Sequence, residues 1–206
     1  FNTNSNGDSS MTVKLVGSTS GSVSLQAPAS TTGGANRVLT LPDIDSTVDT
    51  TGRAGNILQV KQTVKLDTFS TTSATLVDVT GLSVDITPSS TSSKVLVRCS
   101  VAMGCESNTF NYAQLLRGST FIGEAAAAGN RNRPTMMMYQ NFDTTIMMQN
   151  FEFLDSPNTT SATTYKIQIR RVQAGTAYIG RSHNDGNGVD VEPRLSSTIT
   201  VMEVAA

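Results

Sequence analysis

The sequence has no tryptophan, one histidine and two cysteines in 206 residues; aromatic residues make up 5 % and charged residues 15 %. Each scarcity excludes something. With so few rings, a deep cleft that stacks an extended sugar chain is poorly supplied. The charges nearly cancel, at a net −1, so there is no broad basic surface to neutralise phosphates, and no nucleic-acid partner is expected. No apolar run approaches the ~18 residues a membrane helix needs, so no membrane insertion is expected. One histidine lying some eighty residues from two cysteines does not match zinc spacing; no metal and no cofactor are expected. Cys99 and Cys105 would stand ~20 Å apart on one straight strand, far beyond disulfide reach. Only a turn at Met103-Gly104 would bring them closer, and free, partly buried thiols are the preferred reading.

What is present is small, polar and β-branched. Ser and Thr supply roughly a quarter of the chain. Low charge with many β-branched residues disfavours a helical bundle, and the hydrophobic share of 37 % disfavours full disorder. The chain starts at Phe1 and shows no signal-peptide pattern, so it reads as a processed product or as part of a longer protein.

The composition shifts near Gly52–Gly55. Before it lie three short alternating runs, Thr12-Val-Lys-Leu-Val16, Ser22-Val-Ser-Leu-Gln26 and Asn36-Arg-Val-Leu-Thr-Leu41, separated by Gly17-Ser18, Gly21 and Gly33-Gly34. Alternation of apolar and small polar residues predicts half-buried strands. This segment, residues 1–55, holds too few large apolar side chains to bury a core alone. Two readings stand: an intertwined, threefold stem, which the alternation favours, or an extended arm lying on a neighbouring protein.

Residues 56–206 read as a second domain. Strand-like runs recur near 57–66, 75–87, 94–103, 110–117, 120–126, 135–140, 144–154, 163–171, 177–181 and 195–205, with turn signals between them. Regular short strands of this kind predict an all-β sandwich of jelly-roll type. If every connection reverses the chain, those at 67–74, 104–109, 127–134, 155–162 and 182–194 fall at the end away from the stem. Those at 88–93, 118–119, 141–143 and 172–176 then fall at the stem end. The far-end connections are the longer ones, and long loops on a rigid scaffold are the usual place for binding.

Several phrases resemble the structural proteins of marine phages. Gly21-Ser-Val-Ser-Leu-Gln-Ala-Pro-Ala29 with Asn36-Arg-Val-Leu-Thr-Leu-Pro-Asp43 is similar to a repeat common in their tail fibres. Gly55-Asn-Ile-Leu-Gln-Val60, Val79-Thr-Gly-Leu-Ser83, Ile86-Thr-Pro-Ser-Ser90, Phe153-Leu-Asp-Ser-Pro157 and Ser197-Thr-Ile-Thr-Val-Met-Glu203 resemble their C-terminal domain. The resemblance implies a β-rich, homotrimeric virion appendage that contacts the host surface, a cell-surface glycan or protein. It does not distinguish a tail fibre from a head fibre with the same module, and a head-fibre or decoration protein without a receptor of its own is the alternative reading.

Candidate chemistry is sparse. His183 lies in a loop by composition, and no G-x-S-x-G elbow accompanies it, so a catalytic base is disfavoured. Asp185-Gly-Asn-Gly-Val-Asp190 matches half a calcium loop, but Val189 and Ser196 fall where oxygen ligands belong. Glu124, Glu152, Asp155, Asp190 and Glu192 are the carboxylates a glycoside hydrolase would need in pairs ~5–9.5 Å apart. Glu152 and Asp155 would face opposite sides of a straight strand, and a non-enzymatic protein is expected. Arg131, Asn132 and Arg133 form the densest polar cluster. Arg pairs with carboxylate or phosphate, and Asn with hydroxyls, so these three are candidate receptor contacts. Glu106, Asn108, His183, Asn184 and Asp185 join them at the expected far end. Met136, Met138 and Met147 are expected at a subunit interface, with a single-chain core as the alternative. The N-terminal segment is expected to join other virion proteins.

Overall fold

The computed structural model describes the backbone of Thr12–Val16 and Ser22–Gln26 and all of residues 53–206. The chain divides into two compact units, Phe1–Val48 and Asp49–Ala206. In the first, β1 (Thr12–Val16) and β2 (Ser22–Gln26) form an antiparallel pair with Thr12 opposite Gln26 and Val16 opposite Ser22. The third expected run, Asn36 to Leu41, lies outside the described residues.

The second unit is a jelly roll. Its strands are β3 (Ile57–Lys65), β4 (Phe69–Thr71), β5 (Val77–Ile86), β6 (Lys94–Cys105), β7 (Thr109–Arg117), β8 (Thr120–Phe121), β9 (Met136–Gln140), β10 (Ile146–Asp155), β11 (Thr163–Arg171), β12 (Ala177–Ile179) and β13 (Ser197–Val204). In the first sheet β6 is central. It pairs with β10 on one side; on the other it pairs with β13 and, further along, β12. Beyond these lie β3 against β13 and β4 against β12. In the second sheet β11 lies between β5 and β7, and β7 takes both β8 and β9 on its other side. With collinear pieces merged, the two sheets run 1-8-3-6 and 2-7-4-5 in strand order, the pattern of two interlocked Greek keys.

The alternation seen in the sequence builds the core. Val95, Val97, Cys99, Val101 and Met103 point inward from β6 and meet Ile167 and Ile169 of β11 and Ala113 and Leu115 of β7. In β5 the inward set is Val79, then Leu82, Val84 and Ile86, a change of phase. Gly81, at φ 78°, supplies the left-handed residue of a bulge, and the partner register slips between Lys166 and Gln168. Three extra residues of β5 there, an odd number, keep both halves of the strand facing the core.

Three connections do not reverse the chain: the short one at 66–68, since β3 and β4 run the same way, and two longer ones that redistribute the loops. β8 and β9 both run antiparallel to β7, so residues 122–135 are an excursion within one strand line. Thr135 bridges the gap: its hydroxyl accepts the Leu115 amide at 2.9 Å and donates to the Ala113 carbonyl at 3.2 Å. β12 and β13 likewise both run antiparallel to β6, and residues 180–196 are a second excursion. Counting reversals therefore corrects the expected ends. The connections at 141–145 and 172–176 lie with 72–76 and 106–108 at the end away from residue 56. Those at 87–93, 118–119 and 156–162 lie at the opposite end, beside the strand start and Ala205.

Candidate functional site

The end away from residue 56 gathers four connections, and two of them, 106–108 and 141–145, are tied to the 180–196 excursion. Asp143 accepts the Ser107 amide through Oδ1 at 2.7 Å, and its carbonyl accepts the Asn184 amide at 3.1 Å. Asn108, at φ 59°, donates its backbone amide to the Gln140 carbonyl at 2.7 Å. The Tyr178 hydroxyl and His183 Nδ1 are 2.8 Å apart, and Glu106 Oε1 lies 3.9 Å from the same nitrogen. Arg181 stacks over Tyr178, its guanidinium carbon 4.2 Å from the ring centre. Asp185 holds Arg194 at 2.6 Å and Arg181 at 3.4 Å. Five of the expected contact residues, Glu106, Asn108, His183, Asn184 and Asp185, thus share one surface.

The charges of this surface are largely spent on each other. Asp185 serves two guanidiniums, and Glu192 accepts the Gly188 amide at 3.1 Å, bracing the loop from within. That arrangement, and not an array of oxygens around a void, is what Asp185 to Asp190 builds. Among the described residues no group of three or more His, Cys, Asp or Glu is placed to hold a metal. Asn108, Asn184 and Asn187 are exposed here, as are Phe142, Val189 and Asp190.

Arg131, Asn132 and Arg133 do not join this end. The 122–135 excursion carries them across the outer face of the second sheet. Arg170 donates to Asn132 Oδ1 at 3.1 Å, and Arg133 pairs with Glu124 at 3.2 Å. They border an open cleft of about 120 Å³, with Tyr112 and Phe121 among its walls. Arg170 sits over the Tyr112 ring at 5.0 Å. The pairing register explains this: Arg170 lies opposite Tyr112, and Phe121 opposite Leu116. The same sheet face carries Phe110 and Tyr139, whose rings stack at 4.6 Å. Four of the chain's eleven Phe and Tyr side chains are therefore on one outer face.

The first sheet has its own outer groove, open and about 540 Å³, lined by Gln62, Arg98, Asn150, Glu152 and Thr200 among others. Glu152 is ion-paired with Arg98 across it at 2.7 Å. Asp155 points the other way, into the sandwich, where Arg117 and the Tyr165 hydroxyl each donate to Oδ2 at 2.7 Å. Glu152 and Asp155 thus belong to different faces of the sheet.

The methionines separate by strand alternation. Met136 and Met138 are 4 % and 2 % exposed and belong to the core of one chain, which corrects the interface assignment for these two. Their neighbours on β7 and β6 already complete the packing. Met147, at 48 % exposed, lies on the surface, as do Met137 and Met148. Cys99 and Cys105 are free and buried, and burial pushes the Cys99 thiol up to about 12.

Asp143, Tyr178, Arg181, Arg194, Tyr112, Gln114 and Arg170 were not singled out in the sequence. Nothing local marks them. Tyr112 and Arg170 are fifty-eight residues apart and meet only through the β7–β11 register.

No family model matches the chain, and no curated protein does. Solved viral structures do show a likeness. Infectious bursal disease virus, Gt strain, matches at 17 % identity and a TM-score of 0.37, over 93 % of this chain and 46 % of that one. Infectious bursal virus-derived T=1 particles match at 15 % and 0.38, over 93 % and 44 %. The infectious bursal disease virus VP2 subviral particle matches at 13 % and 0.36, over 82 % and 46 %. The chain spans less than half the length of these proteins, and the jelly-roll assignment rests on its own strand order.

Proposed function

We propose that this chain is a structural component of a virion surface appendage, a tail fibre, that attaches to the host surface by non-catalytic, multivalent binding, with surface glycan as the ligand class. The observation that carries this reading is the meeting of the 106–108 and 141–145 connections with the 180–196 excursion at one end of the jelly roll, tied through Asp143 to Ser107 and Asn184. Jelly rolls serve both capsid and lectin roles, and fold alone does not choose between them. Exposed amides such as Asn184 and Asn187 at this end suit hydrogen bonding to hydroxyls. This end does not offer a nucleophile beside an oriented base: His183 faces a phenol and a carboxylate, while the neighbouring Ser182 hydroxyl is buried and makes no hydrogen bond to it.

The phage-fibre phrases in the sequence support the same reading, and they imply a homotrimer. The two described strands of the N-terminal unit pair with each other, and a two-stranded sheet is marginal by itself; assembly with further copies would complete it. Several tips on one particle then turn individually weak sites into firm attachment. The experiment is direct. Fluorescently labelled chain is incubated with a panel of marine bacterial cells, with and without enzymatic stripping of surface glycan, and its native mass is measured alongside. Saturable binding lost on stripping, by a trimer, is the expected result. A monomer that binds no cell, and instead labels intact particles at the capsid, would point to a decoration protein. Release of new reducing ends from host glycan would overturn the non-enzymatic part.

A further inference from the structure

The cleft on the outer face of the second sheet has the makings of a ligand site, and one of its residues is unexplained without a ligand. Gln114 lines the cleft, is 4 % exposed, and its Nε2 is buried with no hydrogen-bond partner. Native proteins seldom leave a buried donor unpaired. Its neighbours Tyr112 and Phe121 supply rings, and Phe121 is 46 % exposed at the rim. Two guanidiniums, Arg170 and Arg133, stand against one carboxylate, Glu124, so the cleft carries an excess of positive charge. Arg170 is held in place by Tyr112 beneath it and by Asn132 beside it.

We propose that this cleft binds a single acidic sugar residue, a hexuronate. The recognition follows from the groups present. The exposed Phe121 ring packs against the C–H face of a pyranose, while Tyr112 carries Arg170. A guanidinium takes a carboxylate through paired donors. The amides of Gln114 and Asn132 meet ring hydroxyls, and the unpaired Gln114 nitrogen gains an acceptor. The volume, about 120 Å³, is well below the ~300 Å³ where pockets for whole small molecules begin, so one sugar unit enters and the chain continues across the open side. A neutral sugar would leave the positive charge unanswered, and a bare carboxylate would leave the rings unused. The excursion that forms one wall, residues 122–135, thereby has a role beyond bridging β8 and β9.

This inference deepens the attachment reading and rests on it for its biological meaning, but it is tested on the isolated protein. The full chain is titrated with methyl glucuronoside, methyl glucoside and acetate, followed by saturation-transfer NMR and by tyrosine emission, which no tryptophan masks. The uronoside is expected to bind with a Kd on the order of millimolar and about tenfold tighter than either control. Tyr112→Ala and Arg170→Gln are each expected to weaken it about tenfold or more, and Tyr112→Phe to change it less than about threefold, since the ring is kept. Phe121 stands at the exposed edge, so Phe121→Ala provides a folded variant if Tyr112→Ala unfolds; it too should weaken binding. Equal binding of acetate, binding that survives loss of both rings, or no saturation transfer from the uronoside at tens of millimolar would overturn the proposal. A chain that binds cells but no uronoside sinks the cleft and leaves attachment standing. A chain that binds uronoside but no cell does the reverse.

Discussion

Glu203 offers the sharpest test of how this domain is closed. It is wholly buried, on the inward face of β13, and no cation neutralises it. Neutral donors do so instead. Gln59 Nε2 donates to Oε2 at 2.6 Å, and the Ser89 amide and hydroxyl donate to Oε1 at 2.7 and 2.6 Å. Gln59 also reaches the Thr87 carbonyl at 2.7 Å. One carboxylate therefore ties the last strand to the first and to the β5–β6 connection. Burial alone would raise its pKa; the donors outweigh burial and hold it down at about 2, from an ordinary 4.5. That lowering is worth roughly 3 kcal/mol of folding stability. Because the folded value is the depressed one, the stabilisation is complete above the unfolded pKa of 4.5 and is lost as pH falls toward 2. Glu203→Gln keeps the shape but places an amide donor against donors, and an unpaired buried donor costs about 1–3 kcal/mol. At pH 7 we expect the variant to lose about 3 kcal/mol or more. For a domain of this size, each kcal/mol moves Tm by about 2–4 °C. Thermal unfolding of both proteins from pH 7 to pH 2 measures this. The gap between them should be widest at neutral pH and narrow as wild type gives up its share. A variant within 2 °C of wild type at pH 7, or a gap that is constant with pH, would refute the reasoning.

Three other outcomes are expected. Asp155→Ala strands the Arg117 guanidinium and the fully buried Tyr165 hydroxyl, and urea unfolding should show a loss of about 3–5 kcal/mol, whereas Tyr165→Phe should cost only about 1–2 kcal/mol. Gly104→Ala would set a Cβ 2.3 Å from the Arg181 carbonyl oxygen; since backbone must move, protease cleavage within 180–196 should accelerate, while Gly118→Ala, with open space around it, should leave that loop unchanged despite local strain at φ 57°. Cys99 and Cys105 should be silent to a thiol reagent at pH 8 in the native protein and both react in denaturant, because the thiolate is the reactive form and burial suppresses it; fast modification of the native chain would contradict the packing of β6.

Much of the fold was legible because its signals are local. A strand with one buried face must alternate, so Lys94 to Cys105 and Thr163 to Arg171 announce themselves in the sequence, and every described strand except the three-residue β4 overlaps an expected run. Direction was not legible. Whether a connection reverses the chain depends on which strand the next segment pairs with, and residues 122–135 carry turn signals whether or not a reversal follows. For that reason Arg131, Asn132 and Arg133 were expected at the tip and are found on a flank.

The alternation of its residues determined an all-β sandwich, and its composition determined a sparse, nearly balanced charge of net −1. Which face each methionine serves, which carboxylates are spent on internal arginines, and the meeting of Tyr112, Gln114 and Arg170 were decided only by tertiary structure. The physical reason is range: side-chain period is set between neighbours along the chain, whereas register, closure of the two sheets and burial of a donor such as Gln114 are set by pairings between residues tens of positions apart.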